Sequence, residues 1–223
     1  MKVLISGTNS GLGKWLSRQF SDCDKYNRDT MFNDLKDEYD LIIHCAADVA
    51  HSGWDNVSLD LFEDNVFLTR DLVKIPHKKF VYLSSIDEAK DSPYGVTKRI
   101  SEIIVKDLSK NYLILRPSAL LGKEMKKNTF QKIVRGENIA LTPDTIMNYI
   151  LYEDVLDAIK FDTCGTKVFR SNGNITIKEV VEIFGKDIDY GSIHYEVEDI
   201  VTDIDTGKSS TDNILLYKEK YEK

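Results

Sequence analysis

Val3-Leu-Ile-Ser-Gly7-Thr-Asn-Ser-Gly11-Leu-Gly13-Lys-Trp-Leu-Ser-Arg-Gln-Phe20 reads as strand, glycine turn and helix in immediate succession. Val3-Leu4-Ile5 has the unbroken apolar character of a buried strand, and the pattern from Lys14 to Phe20 is helical. Between them, Gly7, Gly11 and Gly13 let the backbone turn sharply and approach a pyrophosphate, while N–H groups at the helix start favour the anion. The loop is completed by Thr8, Asn9, Ser10 and Leu12, in the order G-x-x-x-G-x-G rather than G-x-G-x-x-G. Three glycines also make a simple tight turn. Their place after the first strand favours nucleotide binding and predicts an α/β fold with a doubly wound parallel (Rossmann) sheet.

A second strand is expected over Asp24 to Asn27, followed by Arg28 and Asp29. At that position a guanidinium suits a 2′-phosphate and a carboxylate suits a free ribose hydroxyl. Arg28 therefore points to NADP, with NAD and a merely solvated Arg28 as the alternatives. Asp40 to Ala47 reads as a further buried strand, and Ala46 and Ala47 at its end are small enough for a ligand to come close.

Ser92-Pro93 opens a helix in which Tyr94 and Lys98 stand four residues apart, on one face. A nearby ammonium favours the phenolate, so Lys98 is expected to lower the Tyr94 pKa and prepare it for proton exchange near neutral pH. Tyr94 alone among the eleven tyrosines has a lysine four positions later. An exposed helical pair would look the same in isolation.

The chain has 223 residues, 42% hydrophobic and 30% charged, enough for one sizeable core with a small appended lobe. A formal charge of −7 argues against a nucleic-acid surface. Cys23, Cys45 and Cys164 are odd in number and widely spaced, which predicts neither structural disulfides nor zinc, and no metal site is expected. The start carries only a four-residue apolar run, so no membrane partner is expected and a cytoplasmic location is. His44, inside a strand, reads as a core histidine, while His51 and Trp54 follow a strand end where substrate binds in open sheets.

Taken together, Gly7 to Gly13, His44-Cys-Ala-Ala47, Asn65 in Glu63-Asp-Asn-Val-Phe67, Val81-Tyr-Leu-Ser-Ser85, Tyr94 with Lys98, and Leu115-Arg-Pro117 before Leu121-Gly122 resemble short-chain dehydrogenases/reductases. The resemblance is to the extended branch, with its sugar-nucleotide epimerases, dehydratases and ketoreductases. It implies Tyr94 as acid/base, Lys98 as its electrostatic partner and ribose ligand, Ser85 as donor to the reacting oxygen, and Asn65 as support for the proton path. It further implies that Ser118 and Ala119, after Pro117, meet the nicotinamide carboxamide, and that Asp34-Leu35 contacts the adenine. Ser84, the neighbour of Ser85, is expected to be structural because successive strand residues face opposite ways. The expected cofactor is NADP or NAD and the expected substrate a nucleotide-activated sugar, reduced or epimerised. A non-sugar carbonyl reductase and a non-catalytic NAD(P) sensor are the rival readings.

Two departures from the family stand out. Only eight residues separate Ser85 from Tyr94, where sugar-nucleotide enzymes carry a longer loop, and residues 28–40 leave room for one short helix at most. The chain reads as a trimmed member. Residues 1–121 with 149–172 are expected to form the dinucleotide domain, and 122–148 with 173–223 a small substrate lobe. In the lobe, Phe130 to Arg135 reads as a helix closed by Gly136, Ile139 to Leu141 as a strand, and Asn213 to Tyr221 as a closing helix. Lys127, Lys132 and Arg135 are candidates for a diphosphate grip, or a solvated face. A homodimer through the Tyr94 helix and its neighbour from Asn56 to Val73 is the expected assembly.

Overall fold

The computed structural model describes the chain apart from residues 31, 36–37, 50–53, 55–56, 162 and 223. Contacts divide it into two compact units, Met1–Pro117 with Leu156–Lys167, and Ser118–Val155 with Val168–Lys223.

The first unit is built on β1 (Val3–Ser6), β2 (Cys23–Tyr26), β3 (Tyr39–His44), β4 (His77–Leu83) and β5 (Tyr112–Pro117). With β9 (Gly165–Phe169) they form a six-stranded sheet in the order β2-β1-β3-β4-β5-β9. The pairs β1–β2, β1–β3, β3–β4 and β4–β5 are parallel, with Val3 opposite both Cys23 and Leu41, and Leu83 opposite Leu115. Strands covered on both faces need apolar side chains throughout, and Leu4, Ile5, Ile42, Ile43, Val81, Leu113 and Leu115 are fully buried. One face packs under α3 (Leu68–Val73) and α4 (Pro93–Leu108), where Leu72, Val73 and Val105 meet Leu4, Ile42, Phe80, Tyr82 and Ile114.

The chain leaves β1 toward β2 on one side and reaches β3 on the other, so the strand order reverses at β1. In a doubly wound sheet the ligand crevice lies at the carboxyl ends of the strands flanking that reversal. Among the described residues between β2 and β3, the one helical element is a 3₁₀ turn, Phe32–Asp34. The trimmed crossover read from the sequence is therefore present as such. α1 spans Gly11–Leu16, beginning earlier and ending sooner than the sequence pattern suggested; past it the Arg18 and Gln19 N–H groups bond three residues back, to Trp15 and Leu16, in a tighter turn.

The second unit contains β6 (Ala119–Leu121) paired with β8 (Tyr149–Leu151), and β7 (Ile146–Met147) paired with β10 (Ile175–Thr176). α5 (Thr129–Arg135) ends on Gly136 at φ 70°, a left-handed cap that glycine makes cheaply. Phe130 of α5 packs against Tyr149, Phe184 of α7 (Ile177–Phe184) and Tyr217 of α8 (Ser210–Tyr221), at ring separations of 5.1–5.5 Å. Thr176 and Glu179 form a reciprocal capping box at the start of α7. Ile139 to Leu141 is not a strand. Leu141 makes only an isolated bridge to Ile193.

Candidate active site

Ser92 and Pro93 start α4 as their types require: the Ser92 hydroxyl accepts the Gly95 N–H at 3.1 Å, and Pro93 occupies the first turn. Tyr94 and Lys98 follow on successive turns. Ser85 leaves β4 in an extended conformation and its hydroxyl accepts the Asp87 N–H at 3.1 Å, capping the 3₁₀ turn Ile86–Ala89. Ser85 lies close enough to Tyr94 for its hydroxyl to act on the phenol. Ser84 faces the other way, is buried, and donates to Glu102 at 2.6 Å.

Lys98 is 2% exposed, donates to the Leu83 carbonyl at 2.8 Å, and lies 4.8 Å from the Tyr82 ring centre and 5.5 Å from that of Tyr94. Burial lowers its pKa to about 8, with Cys45 and Glu102 pulling the other way. The Tyr94 phenol is pushed up from its ordinary value by burial, drawn back by the Ser85 hydrogen bond, and raised further by Asp87. The lowering expected from Lys98 is therefore not what the structure holds. Although the Tyr94 side chain as a whole is only part buried, the protein around its hydroxyl outweighs an ammonium turned toward a backbone carbonyl.

Asn65 sits in a π-helical turn, Glu63–Phe67, between α2 (Leu59–Phe62) and α3. Such turns shift the helical register by one residue. Its side chain accepts the Asp48 N–H at 2.7 Å and donates to the Asp48 carbonyl at 3.0 Å and to Thr97 Oγ1 at 3.1 Å. Thr97 in turn donates to the Tyr94 carbonyl at 2.8 Å. The Asn65 carbonyl accepts from Thr69 at 2.6 Å and Ser101 at 2.8 Å. Asn65 thus ties α4 to the loop after β3 through Thr97. Thr97, Ser101 and Thr69 were not singled out in the sequence, where a helical threonine or serine carries no distinguishing signal.

His44 is fully buried, as a core histidine, and its hydrogens can be ordered. Because Thr69 gives its proton to Asn65, it accepts from His44 Nε2 at 2.9 Å; Nδ1 then accepts from Ser6 Oγ at 2.6 Å. The ring is the neutral Nε2–H tautomer. Burial, reinforced by Lys98, lowers its pKa to about 3. Ser6 Oγ also accepts the N–H groups of Cys45 and Ala46, at 3.2 and 3.3 Å.

Whether these surroundings suit a dinucleotide can be tested on the loops themselves. Gly7 has φ 76°, and a Cβ there would lie 2.7 Å from the Ala46 nitrogen; at Gly13 it would lie 2.5 Å from the Gly7 carbonyl oxygen. The loops after β1 and β3 are thus in backbone contact at the strand reversal. Gly11 is also left-handed, at φ 58°. Ser10 makes no side-chain cap, Thr8 Oγ1 is buried with no hydrogen-bond partner, Asn9 is exposed and Leu12 is buried. An uncapped helix start beside an orphaned hydroxyl fits an anionic group.

The remaining candidates are placed as follows. Arg28 is exposed and paired with Asp64 at 2.6 Å. Asp34 is exposed, whereas Leu35 is half-buried against the sheet core with Tyr26 and Leu68. Pro117 ends β5, buried. In the second unit the Ser118 N–H is spent on Phe169 at 3.0 Å and the Ala119 N–H on Asn148 at 3.1 Å, while the Ser118 hydroxyl is buried without a hydrogen-bond partner. Lys127 and Arg135 pair with Glu137 at 2.9 and 3.8 Å. Trp54 is half exposed, and His51 lies outside the described residues. Among the described residues no cluster of His, Cys, Asp and Glu could hold a metal ion.

A tyrosine with a buried lysine one turn further along the same helix, a serine just past a neighbouring strand and a glycine turn after the first strand of a doubly wound sheet make up the pattern of short-chain dehydrogenases/reductases. The sequence model of the NAD dependent epimerase/dehydratase family matches residues 3–161, and the chain belongs to that family. No curated protein matches it by sequence. Among solved structures it is similar to a dTDP-4-dehydrorhamnose reductase from Bacillus anthracis in complex with NADP, at 22% identity over 87% of this chain and 85% of that one, with TM-score 0.69. MoeE5, solved with UDP-glucose and NAD, matches over the whole of both chains at 14% identity and TM-score 0.74. A UDP-N-acetylglucosamine 4-epimerase from Bacillus cereus matches at 19% identity, 99% of this chain, 96% of that one and TM-score 0.69. At these identities the likeness establishes the fold.

Proposed function

We propose that the protein is an NAD(P)-dependent enzyme that reduces or epimerises a nucleotide-activated sugar, with Tyr94 exchanging the proton. The placement of Tyr94 beside buried Lys98, with Ser85 at the end of β4 acting on its phenol, carries this reading. A bound NAD(P) supplies or takes up the hydride. The residues of the Gly7–Gly13 loop would hold its pyrophosphate, with Arg28 toward the adenosine ribose and Lys98 toward the nicotinamide ribose.

For a reduction, the protein must deliver a proton to the carbonyl oxygen as the carbon is reduced. Tyr94 is held protonated by its surroundings and is therefore set to donate first. Ser85 provides a second donor to the same oxygen and steadies the charge that develops there. Lys98, charged at neutral pH, favours the phenolate left behind. In epimerisation the same groups run in both directions. Asn65 positions Tyr94 through Thr97.

The short segment between Ser85 and Tyr94 supports the second reading, a smaller carbonyl substrate. Arg99 holds the Glu88 carbonyl at 2.5 Å and that of Lys90 at 3.1 Å, and Lys90 pairs with Asp87 at 2.6 Å, so this wall is short and pinned. A cytoplasmic location is in keeping with Cys23, Cys45 and Cys164 forming no disulfide. Leu59, Phe67, Ile103 and Leu108 are exposed on the helices expected to pair, which supports a homodimer.

Tyr94→Phe tests the proposal. Turnover of keto-sugar nucleotides or of simple ketones should fall by about 10²–10⁴ while dinucleotide binding, read by calorimetry, is kept. Unchanged turnover would remove Tyr94 as the acid, and no turnover of either substrate panel by the wild type would favour a sensor.

A further inference from the structure

The turn after β2 is pinned by its own side chains. Asn27 Oδ1 accepts the Asp29 N–H at 2.8 Å, and Thr30 Oγ1 accepts the Asn27 N–H at 3.1 Å and donates to the Lys25 carbonyl at 3.2 Å. This fixes the backbone and turns Arg28 outward, its side chain 82% exposed. Its guanidinium donates to Asp64 Oδ2 at 2.6 Å, and Asp48 and Asp60 also act on it. One guanidinium is therefore paired with Asp64 and lies in the field of two further carboxylates, at the strand end where a doubly wound sheet receives the adenosine ribose.

We propose that Asp64 sets the discrimination between 2′-phosphorylated and unphosphorylated dinucleotides, because its carboxylate occupies the guanidinium that a 2′-phosphate requires and repels that phosphate. The inference rests on the dinucleotide reading above and refines it. Breaking an exposed ion pair costs little by itself. The larger effect is repulsion: a phosphate monoester carries close to two negative charges at neutral pH, whereas a ribose hydroxyl carries none. Two charges against one at roughly 6 Å in water-like surroundings, screened by physiological salt, correspond to about three- to tenfold in affinity. Asp64 also belongs to the π turn that carries Asn65, so its place is fixed by the same turn that organises the relay.

The test is equilibrium binding of NADP, NAD, 2′,5′-ADP and ADP to the wild type and to Asp64→Asn, with Asp64→Ser as a second variant and thermal melting as the fold control. NADP and 2′,5′-ADP should bind about three- to tenfold more tightly to both variants, NAD and ADP should stay within about twofold, and the gain should shrink with added salt. Equal changes for phosphorylated and unphosphorylated ligands, or no change in either, would overturn the assignment while leaving the dinucleotide site intact. Failure of the wild type and both variants to bind any dinucleotide would overturn the assignment together with the reading beneath it.

Discussion

Replacing Arg116 by methionine exposes how the site is braced. Arg116 makes a two-pronged pair with Glu102, at 2.8 and 2.6 Å, and a third contact to Glu88 at 2.8 Å. The Glu102 side chain is 2% exposed, so removing its partner strands a charge in the interior. Losing one partner of a buried pair costs about 3–5 kcal/mol. Ser84 and Lys106 remain on Glu102, at 2.6 and 3.4 Å, which places the expected loss near 3 kcal/mol. For a chain of this size that is a drop of about 6–12 °C in melting temperature. The pH dependence is the sharper test. In the wild type, burial pushes the Glu102 carboxyl up, but Arg116, Ser84 and Lys106 outweigh it and hold the pKa low. That contribution is complete above the unfolded carboxylate pKa of about 4.3 and is lost as pH falls through the folded value. In the variant burial prevails, the folded pKa rises above the unfolded one, and stability falls as pH rises through it. Melting curves at pH 5 and pH 7.5 should therefore show a gap between wild type and Arg116→Met that widens toward neutral pH, and Glu102→Gln in the same chain should recover most of it. A loss below about 1 kcal/mol, or a gap independent of pH, would refute a buried, Arg116-dependent Glu102.

Two further perturbations probe the lysine and the glycine turn. Because the folded Lys98 pKa, about 8, lies below its unfolded value, the burial cost is complete below pH 8 and is relieved as pH rises toward 10, so any stability advantage of Lys98→Met at pH 7 should shrink over that range in paired melting curves; a constant difference would contradict it. Gly13→Ala forces a Cβ to within 2.5 Å of the Gly7 carbonyl, which should cost about 1–3 kcal/mol and abolish the upward thermal shift given by added NAD or NADP; a variant that melts and binds like the wild type would show that the turn is looser than described.

What the sequence made readable was whatever depends on near neighbours. Val3-Leu-Ile and the Leu41-Ile-Ile core of Asp40 to Ala47 announce doubly covered strands because every residue must be apolar, whichever face it meets. Ser92-Pro93 announces a helix start because capping is settled within three residues. Partners far apart in the chain were not readable. Arg116 and Glu102 are 14 residues apart and Arg28 and Asp64 are 36 apart, with many carboxylates equally available on paper. Ile139 to Leu141 has the look of a strand, yet what lies beside it comes from about fifty residues further on: Gly191 approaches Ala140 so closely that a Cβ would meet its carbonyl oxygen at 2.3 Å. A π turn is likewise invisible in composition, since one added backbone residue leaves the apolar pattern of residues 59–73 helical.

The hydrogen bonds around the relay run in one direction, and the electrostatics explain why they stay that way. Ser6 donates to His44, His44 to Thr69 and Thr69 to the Asn65 carbonyl, while the Asn65 side chain donates to Thr97 and Thr97 to the Tyr94 carbonyl. A second proton on His44 would reverse the first link and leave the Ser6 oxygen without its acceptor. Burial and the nearby Lys98 ammonium hold the His44 pKa near 3, so this protonation is absent at physiological pH. The Lys98 ammonium thus helps to keep the buried histidine neutral. Cys45, beside the same ammonium, is pushed up to about 12 by burial with Lys98 opposing, and stays a thiol. With histidine, thiol and phenol all fixed in their neutral forms, Lys98 is the one group of the four whose charge changes near neutral pH. Its burial beside the Tyr82 and Tyr94 rings therefore sets how the charge of this cluster responds to pH.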